Sequence, residues 1–328
     1  MSIKRAVTLY SYQENFYLGK LTLEGCIAKA AETGAVGIEL IPEQNCADEY
    51  LDPSGHFVGQ WKEWMEKYGV EPCAMDIFYD YKLFGNRILT WKEQVKMYTD
   101  AFRFAKRLGF PVVRGMLTTP LKLVEMMLPI AQDMGLKFGI EIHSPYSLEN
   151  EYCLRLYELA EKKNTRAIGV IPDTGIYVRS QSEVIIQKFI RAGAKKEIAD
   201  YTCKAYMDKV PQQEAAAAVA KMNPNAMDHA LFKRVYFATY DDPALLGKYV
   251  DYIVHVHNKC WHMTKDCTEP SIDNENVIRI LKESGYDGYI ATEFEGQRYF
   301  HDVGCMENAD EIEEVRRNQE MLKALLEQ

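Results

Sequence analysis

Phe138-Gly-Ile-Glu-Ile-His143 is a short apolar run interrupted by two ionisable residues, Glu141 and His143, two positions apart. Three later segments repeat its form. Ala167 to Pro172 leads into Asp173, Tyr252-Ile-Val-His-Val-His257 carries His255 and His257, and Tyr289-Ile-Ala-Thr-Glu-Phe-Glu295 carries Glu293 and Glu295. Runs this short, apolar and β-branched read as strands buried on both faces. Strand side chains alternate, so residues i and i+2 share a face and each polar pair points one way.

Outward from these segments the chain alternates between such runs and longer ones with helical spacing. Earlier strands are expected at Ala6 to Tyr10, Gly37 to Ile41, Cys73 to Phe78 and Pro111 to Gly115. Helices are expected from Leu23 to Ala31, around Phe57, Trp61, Trp64 and Met65, and from Leu121 to Met134. Thr90-Trp-Lys-Glu93 has the form of a capping box opening a helix to Leu108, which Gly109 closes. Leu154 to Ala160, Val277 to Leu281 and Ala309 to Leu326 complete the set. Eight strand–helix units predict an α/β fold, a (β/α)8 TIM barrel formed by residues 1–328 as a single domain. No GxGxxG follows the first strand, which disfavours a doubly wound sheet. One connection is out of scale: Asp173 and His257 are 84 positions apart. Residues 179–248 within it read as a long, mostly helical insertion at the active-site mouth, serving as a lid or a partner platform.

In such barrels the chemistry sits at the C-terminal strand ends. Glu141, His143, Asp173, His255, His257, Glu293 and Glu295 are therefore expected to converge on one axis. Burying so many carboxylates and imidazoles without a cation costs several kcal/mol through desolvation and repulsion. A divalent metal removes that cost. The oxygen-rich set suits Mn²⁺ first, with Mg²⁺, Co²⁺ or Zn²⁺ as alternatives. Glu39, Asp76 and Arg114 also fall at strand ends, as substrate contacts or internal pairs. Trp61, Trp64 and Trp91 read as core, whereas Trp261 just past the seventh strand is placed to stack on a ligand.

Several function classes are disfavoured by composition. A net charge of −9 argues against a nucleic-acid partner, and so against a DNA-repair endonuclease on the same barrel. No run of eighteen apolar residues offers a membrane span, and Met1 to Gln44 has no secretion-signal pattern. The eight cysteines include no CxxC pair and read as reduced thiols of a cytoplasmic protein. His257, Cys260, His262 and Cys267 match no zinc-finger spacing. A non-catalytic binding protein would leave the acidic cluster unexplained.

The order of strand ends is Glu in Gly-Ile-Glu-Ile, Asp after the sixth strand, His in His-Val-His-Asn-Lys and Glu in Ile-Ala-Thr-Glu-Phe-Glu-Gly. It resembles the xylose-isomerase-like sugar isomerase/epimerase superfamily over essentially the whole chain. The resemblance implies Glu141, Asp173, His257 and Glu293 as ligands of one divalent cation. It leaves His255 and Glu295 beside them as substrate-binding groups. Two features depart from the simple epimerases: a second acid–base glutamate has no clean counterpart, and the long insertion is foreign to them. Both features, with His143 two positions after the first ligand, resemble the large subunit of bacterial C-glycoside deglycosidases. That branch implies Mn²⁺, His143 as catalytic base and a small β subunit in a hetero-oligomer. It also implies C–C cleavage of a 3-oxo-C-glucoside. The alternative activity is ketose isomerisation or epimerisation through an enediolate.

Overall fold

A computed structural model describes residues 2–78 and 80–328, with the side chain of Cys305 outside the description. Its eight strands are β1 (Lys4–Thr8), β2 (Gly37–Leu40), β3 (Glu71–Asp76), β4 (Val112–Met116), β5 (Lys137–Ile142), β6 (Ile168–Pro172), β7 (Val256–Cys260) and β8 (Tyr289–Phe294). They form one parallel sheet in the order β6-β5-β4-β3-β2-β1-β8-β7. Its two end strands meet through the bridges Val170–Ile253 and Asp173–His257. The sheet thus rolls into the nearly closed (β/α)8 barrel that the alternating pattern predicts.

Two apolar layers hold it together. Most buried apolar side chains lie between sheet and helices, where Trp61 is fully buried and donates Nε1–H to the Leu108 carbonyl at 3.0 Å. Inside the barrel, Ala6, Cys73, Ala74, Val112, Ile171, Val254 and Ala291 form a separate small-residue cluster. Gly139 belongs to this crowded zone: a Cβ there would stand 2.6 Å from both Ile171 Cγ1 and Val254 Cγ2. That close approach forms a floor two residues below Glu141.

Local signals in the sequence act as expected. Thr90 and Glu93 form the reciprocal capping box of the helix Trp91–Leu108. Gly109 and Gly135 end their helices in the left-handed region that glycine tolerates. Trp91 is a correction: as the first residue of its helix it faces outward, 38% exposed, with the Lys122 ammonium over its ring.

The seventh strand is a larger correction. It begins at Val256, four residues later than Tyr252, and runs on to Cys260. Residues Val250–Tyr252 form a 3₁₀ turn instead. Tyr252 is pulled outward, its ring 4.6 Å from that of Tyr157 and its hydroxyl donating to Glu161 at 2.7 Å. Because the strand runs on to Cys260, Lys259 lies within it, on the same face as His257.

Between β6 and β7 the chain forms helices at Glu183–Arg191, Lys196–Met207, Gln212–Ala220, Ala226–Phe237 and Ala244–Lys248. Among the described residues no helix is long and apolar enough to cross a membrane.

Candidate active site

A cavity of about 480 Å³ opens at the C-terminal end of the barrel. Asp76, Arg114, Glu141, His143, Asp173, Lys259, Glu293 and Glu295 line it, with Phe78, Phe237, Trp261 and Tyr299 among the aromatic residues around them. A polar floor under an aromatic rim suits a ligand with one hydroxylated and one apolar end.

His257 is the centre of the floor. Its Nδ1 lies 2.8 Å from Glu141 Oε1 and 3.5 Å from Glu293 Oε2, while Nε2 faces Glu39 Oε1 at 2.8 Å. One ligand atom from each of Glu141, His257 and Glu293 lies within 4.8 Å of the others. Glu39 sits behind the imidazole rather than in the cavity, where a carboxylate orients a ligating histidine. Burial opposes a charged His257, but Glu39 and Glu293 push it well above its ordinary pKa. The ring has a carboxylate facing each nitrogen, which favours its charged form when no metal is bound.

The remaining groups are fixed by their own partners. Arg114 donates Nη2–H to Glu141 Oε2 and has Asp76 Oδ2 at 3.9 Å from Nη1. Burial notwithstanding, Arg114 and His257 hold Glu141 well below the usual carboxylate range. Asp173 Oδ1 accepts from the Gly175 amide at 2.7 Å, and Oδ2 turns to the Lys259 ammonium at 3.1 Å. Burial raises Glu293 to about 7 against the pull of Lys259 and His257. Glu295 pairs with Lys259 at 3.3 Å and with Arg298 at 3.0 Å.

His143 stands just past the end of β5 and is half-buried. Its Nδ1 lies 2.7 Å from the Ser144 carbonyl oxygen, an acceptor only, so Nδ1 carries the proton. Nε2 is the ring nitrogen left free to accept a proton from a ligand.

His255, expected with the substrate-binding groups, does not line the cavity. It is fully buried below it, with Nε2 2.7 Å from Glu39 Oε2, and burial lowers its pKa so that it stays neutral. The reason is direction: the strand runs toward the cavity, so His255, two residues before His257 on the same face, lies about one pleat repeat deeper. Glu39, Asp76 and Arg114 make internal pairs. Trp261 lines the cavity, with the Arg234 guanidinium 6.0 Å from its ring. Among the described residues the groups that could share an ion are Glu141, His257 and Glu293, and Glu39, His255 and His257; Cys260, His262 and Cys267 belong to neither, and His262 pairs with Glu314 at 3.0 Å.

Lys259 was not singled out by sequence. Its ammonium lies 2.7 Å from Glu293 Oε2 and is buried among Asp173, Glu293 and Glu295. The available signal was its place two residues after His257, which matters only once the strand is known to continue.

The donor set fits a hard divalent cation. Glu141, His257 and Glu293 offer two carboxylates and one imidazole nitrogen to a common point, an oxygen-rich set that suits such an ion once His257 and Glu293 give up their protons.

Residues 27–325 match the family model described as xylose isomerase-like TIM barrel. The chain belongs to that family. Among curated proteins it is 28% identical over 312 residues to a 3'-dehydrocarminate deglycosidase alpha subunit of Microbacterium sp., covering 88% of this chain and 87% of that one. It is 26% identical over 335 residues to a C-glycoside deglycosidase alpha subunit of Arthrobacter globiformis, covering 99% and 93%. Among solved structures, a sugar phosphate isomerase/epimerase from Parabacteroides distasonis shares the fold. Its TM-score is 0.57 at 12% identity, over 99% of this chain and 94% of that one.

Proposed function

We propose that this enzyme is the α subunit of a metal-dependent C-glycoside deglycosidase acting on a 3-oxo-C-glucoside. The observation that carries the reading is the shared cavity, where His143 stands above Glu141, Asp173 and Glu293, with His257 beneath. The deglycosidase subunits that match the chain along most of its length support the choice of reaction.

A divalent cation, Mn²⁺ first, held by Glu141, Asp173, His257 and Glu293 would stabilise negative charge developing on the sugar ketone oxygen. His143 Nε2 removes the proton from the carbon between the ketone and the anomeric carbon. That C–H electron pair becomes the double bond to the anomeric carbon, and the bond to the aglycone breaks. The bond's electron pair leaves on the aglycone carbon, which is then protonated. Products are an unsaturated sugar ketone and the free aglycone. The aromatic rim of Phe78, Trp261 and Tyr299 excludes water from one side and suits an aryl aglycone.

The names of the relatives as alpha subunits support a small β subunit as partner in a hetero-oligomer. The described cysteines are free thiols, in keeping with a reducing, cytoplasmic setting.

The test is incubation of the Mn²⁺-loaded chain, co-purified with its partner, with 3-oxo-C-glucosides of flavonoids and separately with free ketoses in D₂O. Release of aglycone without deuterium entering the ketoses is the expected result. Deuterium exchange into a ketose with no aglycone released would replace this reading with the epimerase one.

A further inference from the structure

A second cavity, of about 610 Å³, lies beside the first and is lined by Val178, Arg179, Tyr206, Lys209, Tyr236 and Tyr240 among others. Val178 and Ala238 line both cavities and form a wall between them. The junction is held by local pairing: the Val178 amide donates to the Thr239 carbonyl at 2.9 Å, and Tyr177 bridges to Tyr240.

The tyrosines offer ring faces rather than free hydroxyls. Tyr206 donates to the Val178 carbonyl at 3.0 Å, Tyr236 to the Val210 carbonyl at 3.2 Å and Tyr240 to Asp273 at 2.6 Å. The rings of Tyr206 and Tyr236 meet edge to face at 5.9 Å. Fixed rings of this kind bind a flat aromatic system with little ordering cost.

Charge narrows the ligand further. Arg179 is already paired with Asp273. Lys209 stands 5.7 Å from the centre of the Tyr240 ring and has no carboxylate partner among the described residues. An aromatic ligand with an anionic oxygen would complete that pairing.

We propose that this second cavity is an aglycone subsite. It holds the part of the substrate furthest from the sugar, an aromatic system carrying a phenolate or carboxylate. The proposal rests on the deglycosidase reading for what the ligand is, and on the shared wall and the unpaired cation for where it binds.

The test uses the full-length chain and two probes, flavone-8-acetate and uncharged flavone, titrated by calorimetry into wild type and Lys209→Glu. Lys209 is exposed, so the variant is expected to keep its melting temperature and metal content. Binding of the carboxylate should weaken by about tenfold or more, and that of flavone much less. Ala238→Trp, which fills the junction, should weaken both. Equal binding of flavone-8-acetate to wild type and Lys209→Glu would overturn the subsite, as would no binding at about 1 mM. Aglycone release from a 3-oxo-C-glucoside, scored separately on wild type, reports on the reaction itself. The subsite and the deglycosidase reading therefore fail independently.

Discussion

The ammonium of Lys259 lies 2.7 Å from Oε2 of Glu293, a carboxylate we assign to the metal. On adjacent strands the two residues are register partners, so the contact is built into the barrel. Lys259 offsets carboxylate repulsion when no metal is present and competes with a metal for the same oxygens. Removing one partner of a buried ion cluster costs about 3–5 kcal/mol. Lys259→Met should therefore lower the melting temperature of the metal-free chain and bind Mn²⁺ more tightly than wild type. Calorimetric titration of Mn²⁺ into both proteins checks this. Weaker binding in the variant would show that Lys259 supports the site rather than competing for it.

Metal uptake should release protons. Glu39 and Glu141 on either side favour a second proton on His257, and burial raises Glu293 to about 7. A proton on a ligand excludes the metal, so affinity for Mn²⁺ is highest above these pKa values. It should fall as pH drops from about 8 to 6, by up to about tenfold per proton per pH unit. Titrations in buffers of different ionisation enthalpy count the protons. Affinity independent of pH over this range would contradict the ligand assignment.

Glu39 touches no part of the cavity yet faces Nε2 of His257 at 2.8 Å. Glu39→Gln should keep the fold and weaken Mn²⁺ binding by about 10–100-fold, the usual worth of a group that orients a ligating histidine. Metal content after dialysis against a chelator is the readout, and unchanged retention would show that His257 needs no such support.

Within the pair on β8, Glu293 is the proposed ligand and Glu295 a group at the rim. Glu293→Ala should lose most of its bound metal. Glu295→Ala should retain it, because Glu295 is held by Lys259 and Arg298, whereas Glu293 stands with Glu141 and His257 around a common point. Mass-spectrometric metal analysis of both variants decides, and the opposite pattern would exchange their roles.

Much of this arrangement is legible in the sequence because barrel strands are short, apolar and repeated. Helix Leu121–Met134 and strand Tyr289–Phe294 fall where spacing and punctuation place them. Strand β7 is misread because Tyr252 to Val254 is β-rich, yet Tyr252 is held outward by Tyr157 and Glu161, contacts no local pattern contains. Lys259 comes into view only once the strand is known to run on to Cys260, and His255, two residues before His257, lies below the floor. Glu39 and Arg114 are visible as strand-end residues, but only their distances show that they orient His257 and Glu141. Of Cys305, read with the other thiols, the side chain lies outside the described residues.

In the proposed reaction His143 Nε2 takes the proton whose loss expels the aglycone. The most direct measurement is the rate of aglycone release from a 3-oxo-C-glucoside by wild type and His143→Gln, each assayed with its bound Mn²⁺ quantified. Equal metal content and a fall in turnover of about 10²–10⁴-fold in the variant are expected. Near-normal release by His143→Gln at full metal occupancy would contradict that role of His143.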